Sequence, residues 1–184
     1  PIAWGMLIVL IGLFWTVFSK NVFTFDDVAF LLLTAVYVGV GFASFTYIRL
    51  LENGLIFSLL IILLIWFTDS GAYFVGKSLG KTKLWPAISP NKTVEGALGG
   101  VVLAILLGVV FELIHPTVGM GTVVLLALIV AVVGQLGDLV QSAYKRHYGV
   151  KDSGALLPGH GGILDRFDSM IIVFTVLIVL GIFG

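Results

Sequence analysis

Leu55 to Val75 reads LIFSLLIILLIWFTDSGAYFV, and this stretch decides the fold class. Its apolar character is almost unbroken as far as Thr68, and its length is about the ~20 residues needed to cross bilayer hydrocarbon. Backbone N–H and C=O groups in lipid must bond within the segment, and the run is too long for a barrel strand, so it reads as a helix. Five other runs have the same character: Ile2 to Phe18, Val28 to Ile48, Ala97 to Ile114, Val118 to Val140 and Met170 to Phe183. The expected class is all-α, a polytopic integral membrane protein with about six transmembrane helices.

Composition points the same way. Hydrophobic residues fill 59% of the 184 positions and charged residues only 11%, against roughly 25% charged in a soluble domain. The formal net charge is zero, so no basic excess calls for nucleic acid as a partner. The absence of cysteine rules out disulfides and thiolate metal sites. The chain starts at Pro1 and runs directly into an apolar stretch without a basic n-region, which reads as a protein trimmed of N-terminal spans.

If each apolar run crosses once, the two long polar connections, Gly76 to Gly96 and Gln141 to Ser169, face the same side as the turn around Lys20. Together these hold Lys20, Lys77, Lys81, Lys83, Lys92, Lys145, Arg146, Lys151 and Arg166, leaving only Arg49 opposite. The positive-inside rule assigns that side to the cytoplasm. Basic loops orient nearly every multispanning protein, so the lysines alone do not indicate catalysis.

The aspartates say more. Asp69 ends an apolar run and Asp138 sits inside one, and ionisable groups in spanning helices are costly enough to suggest function. Both are expected near the cytoplasmic helix ends. On a continuous helix Asp138, Ser142 and Lys145 share a face, as do Asp69 and Tyr73, with Gly71 and Gly76 allowing close approach. Asp165 and Asp168 enter the last span three residues apart, a placement that also suits helix capping. Just upstream, Gly159, Gly161 and Gly162 surround His160, and a glycine-rich turn at a helix N-terminus can present N–H groups to phosphate. Hard carboxylate oxygens favour Mg²⁺, with a second cation left open. Neighbouring Lys and Arg suit polyphosphate. Together they point to nucleotide or pyrophosphate chemistry at a membrane surface.

The segment SAYKRHYGVKDSGALLPGHGGILDRFDS, Ser142 to Ser169, closely resembles the signature of the phosphatidate cytidylyltransferase family, the CDP-diacylglycerol synthases. DSGAY at Asp69 to Tyr73, SPNKTVEG at Ser89 to Gly96 and GQLGDL at Gly134 to Leu139 follow the family's order. The motifs cover residues 66–184, and residues 1–184 read as a single transmembrane catalytic domain. The resemblance implies CTP and phosphatidate as substrates, CDP-diacylglycerol and pyrophosphate as products, and a divalent metal. It implies Asp138 and Asp165 as main metal ligands, with Asp69 and Asp168 as further candidates. Lys145, Arg146, Lys151 and Arg166 are expected to neutralise phosphate charge, and His160 joins them with its role open. Ser89, Lys92, Thr93, Ser142, Gly161 and Gly162 are expected to contact substrate. Gln141 stands where relatives commonly have Glu, which counts against metal binding there, and Asn91 occupies a variable position.

Archaeal enzymes that activate ether lipids look similar. A transporter would also hold aspartates within helices, but neither an inverted repeat nor matched broken segments are visible. A CDP-alcohol phosphotransferase would need an aspartate-rich motif that is absent. Gly99, Gly100, Gly134 and Gly137 suit tight helix packing, either within the chain or in a homo-oligomer.

Overall fold

The computed structural model describes residues 2–150, 153–154 and 162–183. Six helices are present among them: α1 (Ile2–Phe18), α2 (Phe25–Leu50), α3 (Gly54–Leu79), α4 (Val94–Ile114), α5 (Met120–His147) and α6 (Leu164–Val179). Four of these, α2 to α5, are long and apolar enough to cross a membrane. The other two are shorter, 17 residues in α1 and 16 in α6. The protein is thus an all-α membrane protein with four clear spanning candidates, where the sequence suggested about six.

Helices α3 and α5 form the centre of the bundle. In their apolar windows 39% and 44% of residues are buried, against 17% in α2 and 22% in α4. The core joins Ile48 of α2, Leu60, Ile61 and Leu64 of α3, Val123 and Val130 of α5, and Phe174 and Leu177 of α6. Outward faces remain apolar: Leu98, Val102, Leu106, Val110 and Leu113 run as an exposed stripe along α4. In water such a patch would drive association, whereas lipid tails accept it without penalty.

Helix ends are set by local chemistry. Thr24 and Asp27 form a reciprocal capping box at the start of α2, satisfying orphan N–H groups. The turn from α4 to α5 around Pro116 is more than punctuation. The buried Glu112 carboxylate accepts from Thr117 N at 2.9 Å, Thr117 Oγ1 at 2.7 Å and Gly119 N at 2.7 Å.

Between α3 and α4 the expected loop contains a small antiparallel hairpin, β1 (Lys83–Trp85) and β2 (Ser89–Thr93). Lys83 pairs with Thr93 and Trp85 with Ser89, with an irregularity between them. Glu95, in the first turn of α4, clamps its base by accepting from Lys81 N and Thr82 N, each at 3.1 Å.

The glycines flagged in the sequence act within the chain. A Cβ on Gly100 of α4 would stand 2.6 Å from the Thr68 carbonyl of α3. One on Gly137 of α5 would stand 3.1 Å from Ser169 Cα of α6. These two contacts bring α3 against α4 and the start of α6 against α5, beside Asp69 and Asp138 respectively.

Candidate active site

Helix α5 continues past Ser142, as expected from the sequence, and α3 continues past Asp69. Asp69 precedes the end of α3 by ten residues and Asp138 the end of α5 by nine, about 15 Å along each axis at ~1.5 Å per residue. Both helices continue past the apolar run into sequence that still favours helix, and the basic residues in the last turn of α5 complement its dipole. The carboxylates are therefore recessed.

Above them is a cavity of about 440 Å³, within the ~300–1,000 Å³ typical of small-molecule sites. Its walls are Asp69, Ala72, Tyr73, Gly76 and Lys77 of α3, Leu84, Asn91, Lys92 and Thr93 of the hairpin, Ala97 of α4, and Gln135 and Asp138 of α5. Lys92 reaches in from the hairpin to place Nζ 2.5 Å from Asp138 Oδ2, with the two side chains 26% and 35% exposed. A pair this open to solvent contributes only about 0–1 kcal/mol to stability, so its placement in a cavity bears more on binding than on folding. Asp69 lies within electrostatic reach of Asp138, Lys92 and Asp168. Gln135 fixes the cavity floor, donating from Nε2 to Ala97 O at 3.3 Å and Ala131 O at 3.0 Å.

A second polar group adjoins the first across the α5–α6 contact. Lys145 Nζ donates to Asp165 Oδ1 at 2.8 Å. Asp165 Oδ2 accepts from Ser153 N at 2.8 Å, Ser153 Oγ at 2.9 Å and Gly162 N at 3.0 Å. Asp165 precedes the apolar part of α6. Partial burial pushes its carboxyl up, but the Lys145 ammonium and the N–H and hydroxyl donors outweigh burial and hold it well below the usual carboxylate range. Asp168 senses the charges of Asp138 and Lys145 and accepts from Ser169 N at 2.6 Å. Neither aspartate caps α6, which has no side-chain cap bond; Asp165 instead ties the preceding segment to α5.

Of the residues named from sequence, Asp69, Lys92, Thr93 and Asp138 line the one cavity. Asp168, Lys145 and Asp165 continue from it. Ser142 Oγ donates to Asp138 Oδ1 at 3.4 Å, in keeping with the shared helical face. Thr93 also serves as the N-cap of α4, accepting from Gly96 N at 3.1 Å. Ser89 starts β2 opposite Trp85 and is not in the cavity wall. Arg146 Nε reaches the Ile88 carbonyl at 3.4 Å, joining α5 to the hairpin. The Gly162 N–H, expected to face phosphate, is taken by Asp165. Arg166 extends from the first turn of α6 and is exposed. Lys151, His160 and Gly161 lie outside the described residues.

Gln135, Lys77 and Asn91 are lining residues that sequence reasoning did not single out. A lone Gln inside an apolar run was the available signal for the first.

Among the described residues, no three His, Cys, Asp or Glu side chains gather into a protein-only metal cage. The donors present are hard carboxylate oxygens grouped beside an open cavity. That suits Mg²⁺, which usually takes one or two carboxylates and completes its shell with water and substrate phosphate.

The chain matches the sequence profile of the Cytidylyltransferase family over residues 1–183. It is 55% identical over 175 residues to a phosphatidate cytidylyltransferase of Bacillus subtilis (strain 168), covering 94% of this chain and 65% of that protein. Proteins of the same name from Staphylococcus epidermidis and Staphylococcus aureus (strain COL) are 49% and 51% identical, each over 92% of this chain and 65% of the relative. The chain thus spans a little under two thirds of the length of these curated relatives, with the carboxylates, lysines and cavity inside the matched region. It belongs to the cytidylyltransferase family.

Proposed function

We propose that this chain is a transmembrane catalytic domain that transfers a cytidylyl group from CTP to phosphatidate, giving CDP-diacylglycerol and pyrophosphate. The observation that carries this reading is the recessed cavity in which Lys92 meets Asp138 beside Asp69. It combines anionic ligands for a cation with an ammonium for phosphate at the polar end of membrane helices. The names of the relatives agree with it.

A phosphate oxygen of the lipid attacks the α-phosphorus of CTP. The bond from that phosphorus to the bridging oxygen breaks, and pyrophosphate leaves in line. A phosphomonoester has a second pKa near ~6 and is largely ionised at neutral pH, so no general base is needed. The barrier is electrostatic: two anions must meet and a third depart, which positioned charge relieves. Lys92 acts from the hairpin on the nucleotide, while Lys145, Arg146, Lys151 and Arg166 balance phosphate charge from the α5–α6 side. Ser142 orients Asp138, and Thr93 holds Lys92 in register by capping α4. Mg²⁺ held by Asp138 and Asp165, with Asp69 and Asp168 as alternative donors and its shell completed by water and substrate, would supply charge neutralisation of the phosphate oxygens.

In the same reading α1 and α6 also cross the bilayer, making six spans, and the hairpin side faces the cytoplasm, where CTP is available. The acyl chains stay at the depth of the bilayer while the headgroup reaches the cavity. The test is pyrophosphate release by the purified protein in vesicles. Release from CTP that requires phosphatidate, with none on diacylglycerol, supports the reading; lipid-independent release rejects it.

A further inference from the structure

Between them α2 and α6 leave an apolar groove of about 210 Å³ past Val36, Val40, Ile172 and Val176. A second apolar hollow of about 170 Å³ continues it between α2, α5 and the start of α6, with Tyr37 in the wall of both. Val36 and Val40 are 61% and 45% exposed, so the groove opens outward where the bilayer would lie. At its polar end the Tyr37 hydroxyl donates to the Asp168 carbonyl at 3.4 Å, and Asp168 senses the charges of Asp138 and Lys145. One residue therefore separates an apolar channel from the carboxylate cluster.

The upper hollow contains an unmet polar group. Gln141 lines it, is only 3% exposed, and its Nε2 has no hydrogen-bond partner among the described residues. A buried amide donor without an acceptor is costly, and native interiors rarely tolerate one. The terminal torsion of Gln is broad, so a small turn presents Nε2 to the hollow. An acceptor carried by something otherwise apolar would satisfy it without loading the hollow with further polar groups. Ester carbonyls at the head of an acyl chain have that chemistry.

We propose that this groove seats one acyl chain of the lipid substrate and that Gln141 donates to its ester carbonyl, setting the phosphate toward Asp168 and Asp138. This rests on the cytidylyl-transfer reading for the phosphate and on the groove itself for the chain. Gln141 is then a positioning residue that distinguishes ester-linked from ether-linked phosphatidate.

The test compares the two substrates in vesicles. Gln141→Leu keeps the volume and removes the donor. The ester-over-ether ratio of kcat/KM should fall roughly five- to tenfold, the loss of one neutral hydrogen bond, with KM for CTP unchanged. Equal changes for both lipids, or no change, would overturn the role of Gln141. Independently, a phosphatidate with a diazirine in its acyl chain should photolabel residues 33–40 and 171–176, and unlabelled phosphatidate should compete. Labelling elsewhere would overturn the groove assignment. Competed labelling without phosphatidate-dependent pyrophosphate release would reject cytidylyl transfer and keep the lipid seat; release without such labelling would do the reverse.

Discussion

Replacing Gly100 with alanine adds one methyl group to α4 and should disturb a site it does not touch. That Cβ would stand 2.6 Å from the Thr68 carbonyl and 3.2 Å from Thr68 Cγ2. Ordinary contact begins at 3.4 Å, so α3 and α4 must part by about 0.8 Å, an overpacking that typically costs about 1–3 kcal/mol. The displaced residue is Thr68, directly before Asp69, and a shift near 1 Å in a catalytic arrangement can cost about 10²-fold. We therefore expect Gly100→Ala to lose roughly 10- to 100-fold in kcat/KM for pyrophosphate release and to melt at lower temperature. Gly39→Ala is the control, because nothing lies within 4 Å of its added Cβ. Wild-type rate and melting in Gly100→Ala, or equal losses in the control, would refute the claim that close packing of these helices positions Asp69.

Lys92→Met should lower kcat/KM about 10- to 150-fold, the worth of a charge-assisted hydrogen bond of ~1.5–3 kcal/mol; steady-state kinetics with an unchanged value would remove Lys92 from the site. Glu95→Ala releases the base of the hairpin from its clamp, so trypsin should cleave faster after Lys81 and Lys83, while an unaltered rate would show the clamp to be idle. Because the chain lacks cysteine, single-cysteine labelling in sealed vesicles reads topology directly. Lys83→Cys and His147→Cys should react from one side and Glu52→Cys from the other; any other pattern contradicts the arrangement of α3, α4 and α5.

The apolar runs were legible because lipid demands length and composition, and both are local properties. Helix ends were less so. The run ending near Val75 continues helically to Leu79, since polar residues in a helix extending past lipid carry no apolar signal, whereas the expected continuation of α5 past Ser142 is present and reaches His147. The hairpin was not legible: Pro86 and Pro90 interrupt it, and no apolar alternation marks its short strands. For the site, intramembrane carboxylates stood out at once, as did Lys92 within its motif. Gln135 and Glu95 did not, because their partners on neighbouring elements exist only after folding. The glycines were legible as packing residues, but only the fold assigned Gly100 to Thr68 and Gly137 to Ser169.

The most direct test of the catalytic centre follows label from CTP into lipid. Purified protein in phosphatidate vesicles is given Mg²⁺ and CTP labelled in the cytosine ring, and the organic phase is counted for wild type and Asp138→Asn. Label should enter the lipid only with phosphatidate present, and the variant, still folded, should lose at least about 10²-fold of that transfer. Undiminished transfer by Asp138→Asn would contradict the placement of the reaction at this cavity.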